Sequence, residues 1–311
     1  MTLEIWRSML FIPANSWRMI TRAMEEMEDA VIFDLEDAVP IAEKETARVF
    51  ARDGIPLLKE IDTDVFVRVN SMSTGLTAED LKYVVTTGLY GIMLPKSESK
   101  EDIIALDKLI TQEETAKSLQ PFSVRIMPLL ESPKGVFNAS EIAVASKRIC
   151  GLAFGAGDFL RELGEGFAIA RLSPDEYFPT ILYARSHISL VARINNIPAI
   201  DTPFFGLLTD NEGLIREATK VKLIGFKGKL LIHPRHVEPV NKVFSPSEED
   251  IGFARQMISA YREAEASGLG AASFGGRMID YAMVSMGEDL LRRAEAIAKR
   301  QEKKLAYQHQ F

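Results

Sequence analysis

An α/β fold of the (β/α)8, or TIM-barrel, type with a C-terminal helical extension is what this sequence predicts. Two observations carry that expectation. Between Ser8 and Pro234, eight short apolar runs with strand character alternate with helix-like segments, and such alternation argues a parallel sheet with helix crossovers. Polar residues also recur at the C-terminal ends of those runs: Glu36 and Asp37, Arg68 and Asn70, Lys96, Glu131, Asp158, Asp201 and His233. In a barrel these ends share one rim, where active sites lie. A doubly wound open sheet is the fallback. It fits less well, because no Gly-rich dinucleotide loop follows the first strand.

Ser8–Pro13 (SMLFIP) opens the set, and Asn15 or Ser16 can cap a helix running to about Met27. Asp29–Asp37 (DAVIFDLED) follows, the stretch on which the reading turns. Val31–Phe33 reads as a buried strand, with three carboxylates at its end: Asp34, Glu36 and Asp37. Strand alternation points Asp34 and Glu36 the same way as Ile32. Two acids on one face repel and resist desolvation unless a cation or positive partner is near.

Residues 41–60 suit a helix ended near Gly54–Pro56 or resumed briefly after it. Val65–Asn70 is a strand with Phe66, Arg68 and Asn70 on one face. Thr77–Gly88 reads as a helix capped by Thr77 and stopped by Gly88. Strand Gly91–Lys96 and helix Glu101–Ser118 come next. Strand Val124–Glu131 sets Met127, Leu129 and Glu131 on one face, and a helix follows from Gly135 to Ser146. Ile149–Asp158 is strand-like, then loosened by glycine. The helix Asp175–Asn195, the strand Pro198–Pro203, the helix Asn211–Leu223 and the strand Gly228–Pro234 complete the pattern.

Beyond Phe244 the character changes, which predicts a barrel domain over 1–244 and a helical extension over 245–311. Ser247 and Asp250 form a capping-box signature for a helix to Ser267. Gly268–Gly276 reads as a loose linker and Met278–Gln301 as a second helix.

The formal net charge of −7 and a pI of about 5.4 argue against a nucleic-acid binder while leaving room for a local basic pocket. One cysteine, Cys150, rules out an internal disulfide framework, suits a reducing compartment and reads as a core residue. No apolar run approaches membrane-spanning length and the N-terminus lacks a signal-peptide pattern. A cytoplasmic protein without a membrane partner is the expectation.

In a barrel, Glu131 and Asp158 end consecutive strands. Two carboxylates with open positions suit a hard cation such as Mg2+, with Asp34, Glu36 and Asp37 orienting its waters. Taken singly, each acid reads better as a helix cap or a solvated loop residue than as a ligand; taken as a set, they argue a site. Arg68 suits a bidentate carboxylate ligand, or an internal salt bridge to Asp37 or Glu36, and the two are compatible. Mg2+ and an arginine together can orient an α-keto acid. Lys96 is a Schiff-base candidate weighed against a salt-bridged lysine. His233 is weighed as structural against catalytic.

The segments RSMLFIPAN, DAVIFDLEDAV, VFVRVN, GIMLPKSES, LLESPKGVFNASEIA, GAGD, ILYARSHI, GFKGKLLIHPRHVEPVN and GGRMID resemble, in order, the citrate lyase β-subunit-like family, which includes malyl-CoA and citramalyl-CoA lyases. The resemblance implies a Mg2+-dependent TIM-barrel lyase that makes or breaks a C–C bond in a 3-hydroxyacyl thioester. Glu131 and Asp158 would be its metal ligands, and Arg68 would bind the keto-acid carboxylate. Glu36 and Asp37 would belong to the catalytic polar network. Arg7 and the loop that follows would meet the CoA phosphates, with Asn15 among the substrate-binding residues. Asp280 would complete the site as an acid/base from a neighbouring subunit of a homotrimer or hexamer. Alternatives are a β subunit of a citrate lyase complex acting on a carrier-bound citryl thioester, and a non-catalytic subunit that binds keto acid or CoA.

Overall fold

Strands buried on both faces by surrounding helices read as short continuous apolar runs, and these runs close into a barrel. The computed structural model describes residues 4–164, 171–266 and 271–308. Eight parallel strands form a closed barrel in sequence order: β1 Ser8–Pro13, β2 Ala30–Asp34, β3 Asp64–Arg68, β4 Leu89–Leu94, β5 Arg125–Leu130, β6 Leu152–Phe154, β7 Ala199–Asp201 and β8 Gly228–Leu231, which pairs back onto β1.

Helices α1 Trp17–Arg22, α2 Lys44–Glu60, α3 Thr77–Val84, α4 Lys100–Ala116, α5 Pro133–Phe137, α6 Ala139–Ile142, α7 Ala156–Glu162, α8 Pro174–Ile194, α9 Asn211–Ile224 and α10 Val237–Phe244 fall between and after the strands. Alternate strand residues fill the interior: Met9, Ala30, Ile32, Phe66, Met93, Met127, Leu129, Ala153, Ile200 and Leu230, with Cys150 and the Trp6 ring among them. The Trp6 ring meets Phe66 and Tyr90 edge-on at 5.2 Å, an arrangement that favours the aromatic quadrupoles.

Alternation turns the residue after Ile200 outward, so Asp201 does not join the rim. It is fully buried in a four-charge cluster. Lys229 Nζ lies 2.6 Å from Asp201 Oδ2 and 2.6 Å from Glu217 Oε1. Arg185 of α8 donates to Asp201 at 2.8 and 3.0 Å, and the Tyr177 hydroxyl donates to Glu217 at 2.6 Å. This cluster ties two short neighbouring strands of the barrel, β7 and β8, to α8 and α9.

Several boundaries differ from the sequence expectation. The first helix stops at Arg22 and tightens into a 3-10 turn over Ala23–Glu25, with no side-chain cap from Ser16. Thr77 lies inside α3; its hydroxyl donates to the Asn70 carbonyl rather than capping the helix. α3 ends at Val84, before Gly88, which takes φ +97° in the turn to β4. The segment after β5 is two short helices meeting at Asn138.

The chain divides into two compact units: Trp6–Phe244, and Ser245 onward together with the N-terminal residues up to Ile5. In the second unit the capping box of Ser247 and Asp250 forms in both directions and opens α11, Glu248–Ala266. Part of the expected linker is instead an antiparallel hairpin, β9 Ala272–Phe274 and β10 Arg277–Ile279, turned by Gly275 and Gly276 at φ +57° and +75°. The rest of that linker, 268–270, lies outside the described residues. α12, Tyr281–Gln308, follows, and Met257, Ile258, Tyr261, Ile279 and Val284 form this unit's core. Arg300 donates to the Ile5 carbonyl at 2.8 Å.

Candidate active site at the C-terminal rim of the barrel

The rim is organised by a pair that the sheet register sets side by side: Asp34 ends β2 opposite Arg68, which ends β3. Arg68 donates Nε to Asp34 Oδ1 at 2.7 Å and Nη2 to Oδ2 at 2.6 Å. Its guanidinium also lies over the Phe11 ring, 4.8 Å from the centroid. Nη1 is left facing Glu36 Oε2 at 3.4 Å and Asp37 Oδ2 at 3.9 Å. The tight partner of Arg68 is therefore Asp34, not Asp37 or Glu36. Asp34 also accepts the backbone N–H of Glu36 at 2.9 Å and of Ala38 at 3.1 Å. Its oxygens are spent on Arg68 and on shaping the loop, and are not free to orient metal-bound water. Burial works against the Arg68 charge, but the Asp34 bond and the field of the acids overcome it and raise its pKa.

Lys96, just beyond β4, adopts φ +50°. That turn aims its N–H at Glu131 Oε1, 2.8 Å away, while its ammonium donates to Glu36 Oε1 at 2.5 Å. The same ammonium stands 3.9 Å from Asp158 Oδ2 and 4.0 Å from Asp37 Oδ1. Burial would lower its pKa, yet the Glu36 bond and the surrounding acids prevail and raise it. A lysine held protonated is no Schiff-base nucleophile, so the salt-bridged reading is the correct one.

Glu131 follows β5 and is 5% exposed. A Cβ on Gly155 would stand 2.7 Å from both Glu131 Cβ and Oε2, so only glycine leaves this carboxylate its place. Burial, then the charge of Glu36, push the Glu131 carboxyl up to about 8 against the pull of Arg68. Burial raises Glu36 as well, and Glu36 Oε2 is buried without a hydrogen-bond partner. Asp158 belongs to the first turn of α7 rather than to a strand end; its Oδ1 lies 3.0 Å from Arg161. Its charge is felt at Glu131, and both acids reach the same lysine.

Raised acids and a buried carboxylate oxygen that makes no hydrogen bond mark a cluster short of positive charge, which a hard divalent cation supplies. Among the described residues no group of three or more His, Cys, Asp or Glu forms a ready-made cage. That does not fit Zn2+, but Mg2+ is commonly held by one or two carboxylates plus waters and substrate, and Glu131 with Asp158 fits it. A pH dependence follows for protein kept in chelator. The folded-state pKa of Glu131 is raised, so its stabilising contribution is full below about 4.5 and is lost as pH rises through about 8. Urea unfolding midpoints between pH 5 and 9 should fall by the equivalent of a few kcal/mol at most, and Glu131→Gln should flatten that slope.

The other sequence candidates divide. Glu36 and Asp37 stand at the rim, Asp37 largely exposed. Asn15, beyond β1, donates to Glu43. Arg7 is a correction. It precedes β1, at the opposite end of the barrel from the rim, and is 1% exposed. It donates to Asp29 through its backbone N–H, Nε and Nη2 at 2.7, 2.8 and 2.7 Å. A guanidinium so buried and bound takes no CoA phosphate, and its role is to join the starts of β1 and β2. Asp280 is exposed in the C-terminal unit and accepts the Met283 N–H at 3.0 Å, capping α12. His233 accepts the Arg235 N–H at 3.1 Å, a structural cap.

Sequence reasoning missed Lys44. It is buried, and its ammonium donates to the carbonyls of Leu35 at 2.5 Å and Glu36 at 2.7 Å and to Asn70 Oδ1 at 2.7 Å, which fixes the loop that carries Glu36. A lysine on the buried face of α2 was the available signal.

The model described as HpcH/HpaI aldolase/citrate lyase matches residues 7–234, the whole barrel. The chain belongs to the HpcH/HpaI aldolase/citrate lyase family. Among its relatives, the citrate lyase subunit beta of Haemophilus influenzae is 36% identical over 94% of this chain and 98% of its own. A (3S)-malyl-CoA thioesterase of Cereibacter sphaeroides is 32% identical over 94% and 96%. A solved family structure, CitE from Mycobacterium tuberculosis in complex with magnesium, acetoacetate and coenzyme A, superposes with a TM-score of 0.74 at 33% identity, covering 93% of this chain and 97% of that one.

Proposed function

We propose that this chain is a Mg2+-dependent carbon–carbon lyase that cleaves or forms a 3-hydroxyacyl thioester of the malyl-, citramalyl- or citryl-CoA type. Glu131 and Asp158 hold the metal, and Arg68 binds the keto-acid carboxylate. The observation that carries this reading is the buried Glu131 carboxyl, raised to about 8, beside Asp158 and facing a guanidinium that Asp34 holds in place. The CitE complex with magnesium, acetoacetate and coenzyme A supports it.

Two of the three Arg68 nitrogens are bound to Asp34, which keeps the third, Nη1, in place for a ligand oxygen and fixes where it points. When bound, Mg2+ polarises the keto-acid carbonyl and counters the charge that develops on its oxygen. In the cleavage direction a base takes the 3-hydroxyl proton, the C–C bond breaks, and an acid protonates the thioester enolate carbon. We assign the acid to Asp280, brought by the C-terminal unit of a neighbouring subunit in a homotrimer or hexamer. Glu36 and Asp37 complete the catalytic network, Asn15 lies on the approach for the thioester, and the protein works in the cytoplasm.

A second reading rests on the relatives named citrate lyase subunit beta: the substrate is a citryl thioester on a carrier protein. Purified protein with Mg2+ and malyl-, citramalyl- and citryl-CoA tests both. Keto acid plus a shorter acyl-CoA is the expected product. Activity only on the carrier-bound thioester selects the second reading, and free CoA without keto acid indicates a thioesterase instead. No cleavage and no condensation with any of these substrates overturns the proposal.

A further inference from the structure

Resting on that reading of the rim, we propose that Lys96 is a ligand-binding residue: its ammonium receives an anionic oxygen of the bound keto acid and, before the acid arrives, stands as counter-cation to the metal-binding carboxylates. The rim gathers five carboxylates, those of Asp34, Glu36, Asp37, Glu131 and Asp158, around Arg68 and Lys96. Arg68 is largely neutralised by Asp34 through two hydrogen bonds. Lys96 is held differently. Among the described residues its ammonium makes one hydrogen bond, to Glu36, while Asp158 and Asp37 stand at 3.9 and 4.0 Å, close enough for attraction and too far for a bond. An ammonium has three donors, so two remain for a ligand, and the side chain is 35% exposed, enough for one to reach it. Glu36 is the holder: it is buried, and Lys44 fixes its backbone carbonyl.

The geometry gives the two roles opposite signs. A positive charge 3.9 Å from Asp158 opposes a second cation on the same acid, so Lys96 weakens metal binding. The same charge strengthens binding of the keto acid. A merely structural lysine would move both in the same direction or neither. The backbone role is separable, because φ +50° suits glycine: Lys96→Gly keeps the N–H on Glu131 and removes the side chain with its ammonium, and Lys96→Met removes the ammonium while keeping the aliphatic stem.

The test is calorimetric and needs no turnover. Mg2+ alone is titrated into wild type, Lys96→Met, Lys96→Gly and Lys96→Arg, and pyruvate is then titrated at saturating Mg2+. Lys96→Met and Lys96→Gly should bind Mg2+ about threefold tighter or better and pyruvate about 10- to 100-fold more weakly. Lys96→Arg should recover most of the pyruvate affinity. Unchanged affinities, or weaker binding of both ligands in Lys96→Met and Lys96→Gly, overturn the assignment. Glu131→Gln run alongside separates the two levels. If it loses Mg2+ while Lys96→Gly matches wild type, the metal site stands and the lysine's role falls. If wild type itself takes up no Mg2+, both fall together.

Discussion

Glu131→Gln should lower kcat/KM for thioester cleavage at least about a thousandfold, the scale at which a polarising metal or its equivalent charge is lost from a transition state. Glutamine keeps the side chain's size and the carbonyl oxygen that accepts the Lys96 N–H, so the pocket that Gly155 leaves open stays filled. What changes is one charge at a residue 5% exposed to solvent. In chelator the same substitution should leave the unfolding midpoint at pH 8 unchanged or higher, because the buried carboxylate it removes is held at a cost. Loss of activity with gain of metal-free stability is the signature of a charge kept for binding. Activity near wild type would mean that Glu131 holds no catalytic metal, and loss of both activity and stability would make Glu131 a structural residue.

Lys229→Met should destabilise the barrel by about 3–5 kcal/mol without touching the rim. Lys229 neutralises Asp201 and Glu217 with two contacts of 2.6 Å, all three groups sealed from water. Removing it leaves two buried carboxylates facing one guanidinium, that of Arg185. For a chain of this size the cost is a drop of roughly 10 °C in melting temperature, read by calorimetry or by urea midpoints. Adding Glu217→Gln should recover part of it, since the excess negative charge goes too. Turnover at a temperature where the variant is folded should match wild type, because Asp201 faces the helices. A loss under about 1 kcal/mol would mean that the cluster is hydrated in solution.

The barrel was legible because its strands must be apolar on both faces. VIF, VFVRV and GIML each announced a strand, and the polar residue after each run marked the rim. The short strands were harder. Leu152–Phe154 is the only strand within Ile149–Asp158, because glycines let the chain turn into α7 early, and so Asp158 arrives at the site on a helix. Alternation predicted that Asp34, Glu36 and Arg68 share a face, but not which acid Arg68 takes. The register that sets Asp34 directly opposite Arg68 belongs to the folded sheet. Arg7 was misassigned for a related reason: Asp29 is distant in sequence, and only the pairing of β1 with β2 brings the two together. The β9–β10 hairpin hid in residues that look like a linker, because its strands are three residues long and largely solvent-facing.

The central claim is that one divalent cation sits between Glu131 and Asp158 with a keto acid on Arg68. Crystals soaked in Mn2+ and pyruvate test it by anomalous scattering. The account predicts a single strong peak bonded to one oxygen each of Glu131 and Asp158, with the pyruvate carboxylate reaching Nη1 of Arg68. A peak that touches neither acid, or clear pyruvate density with no metal beside it, would contradict it.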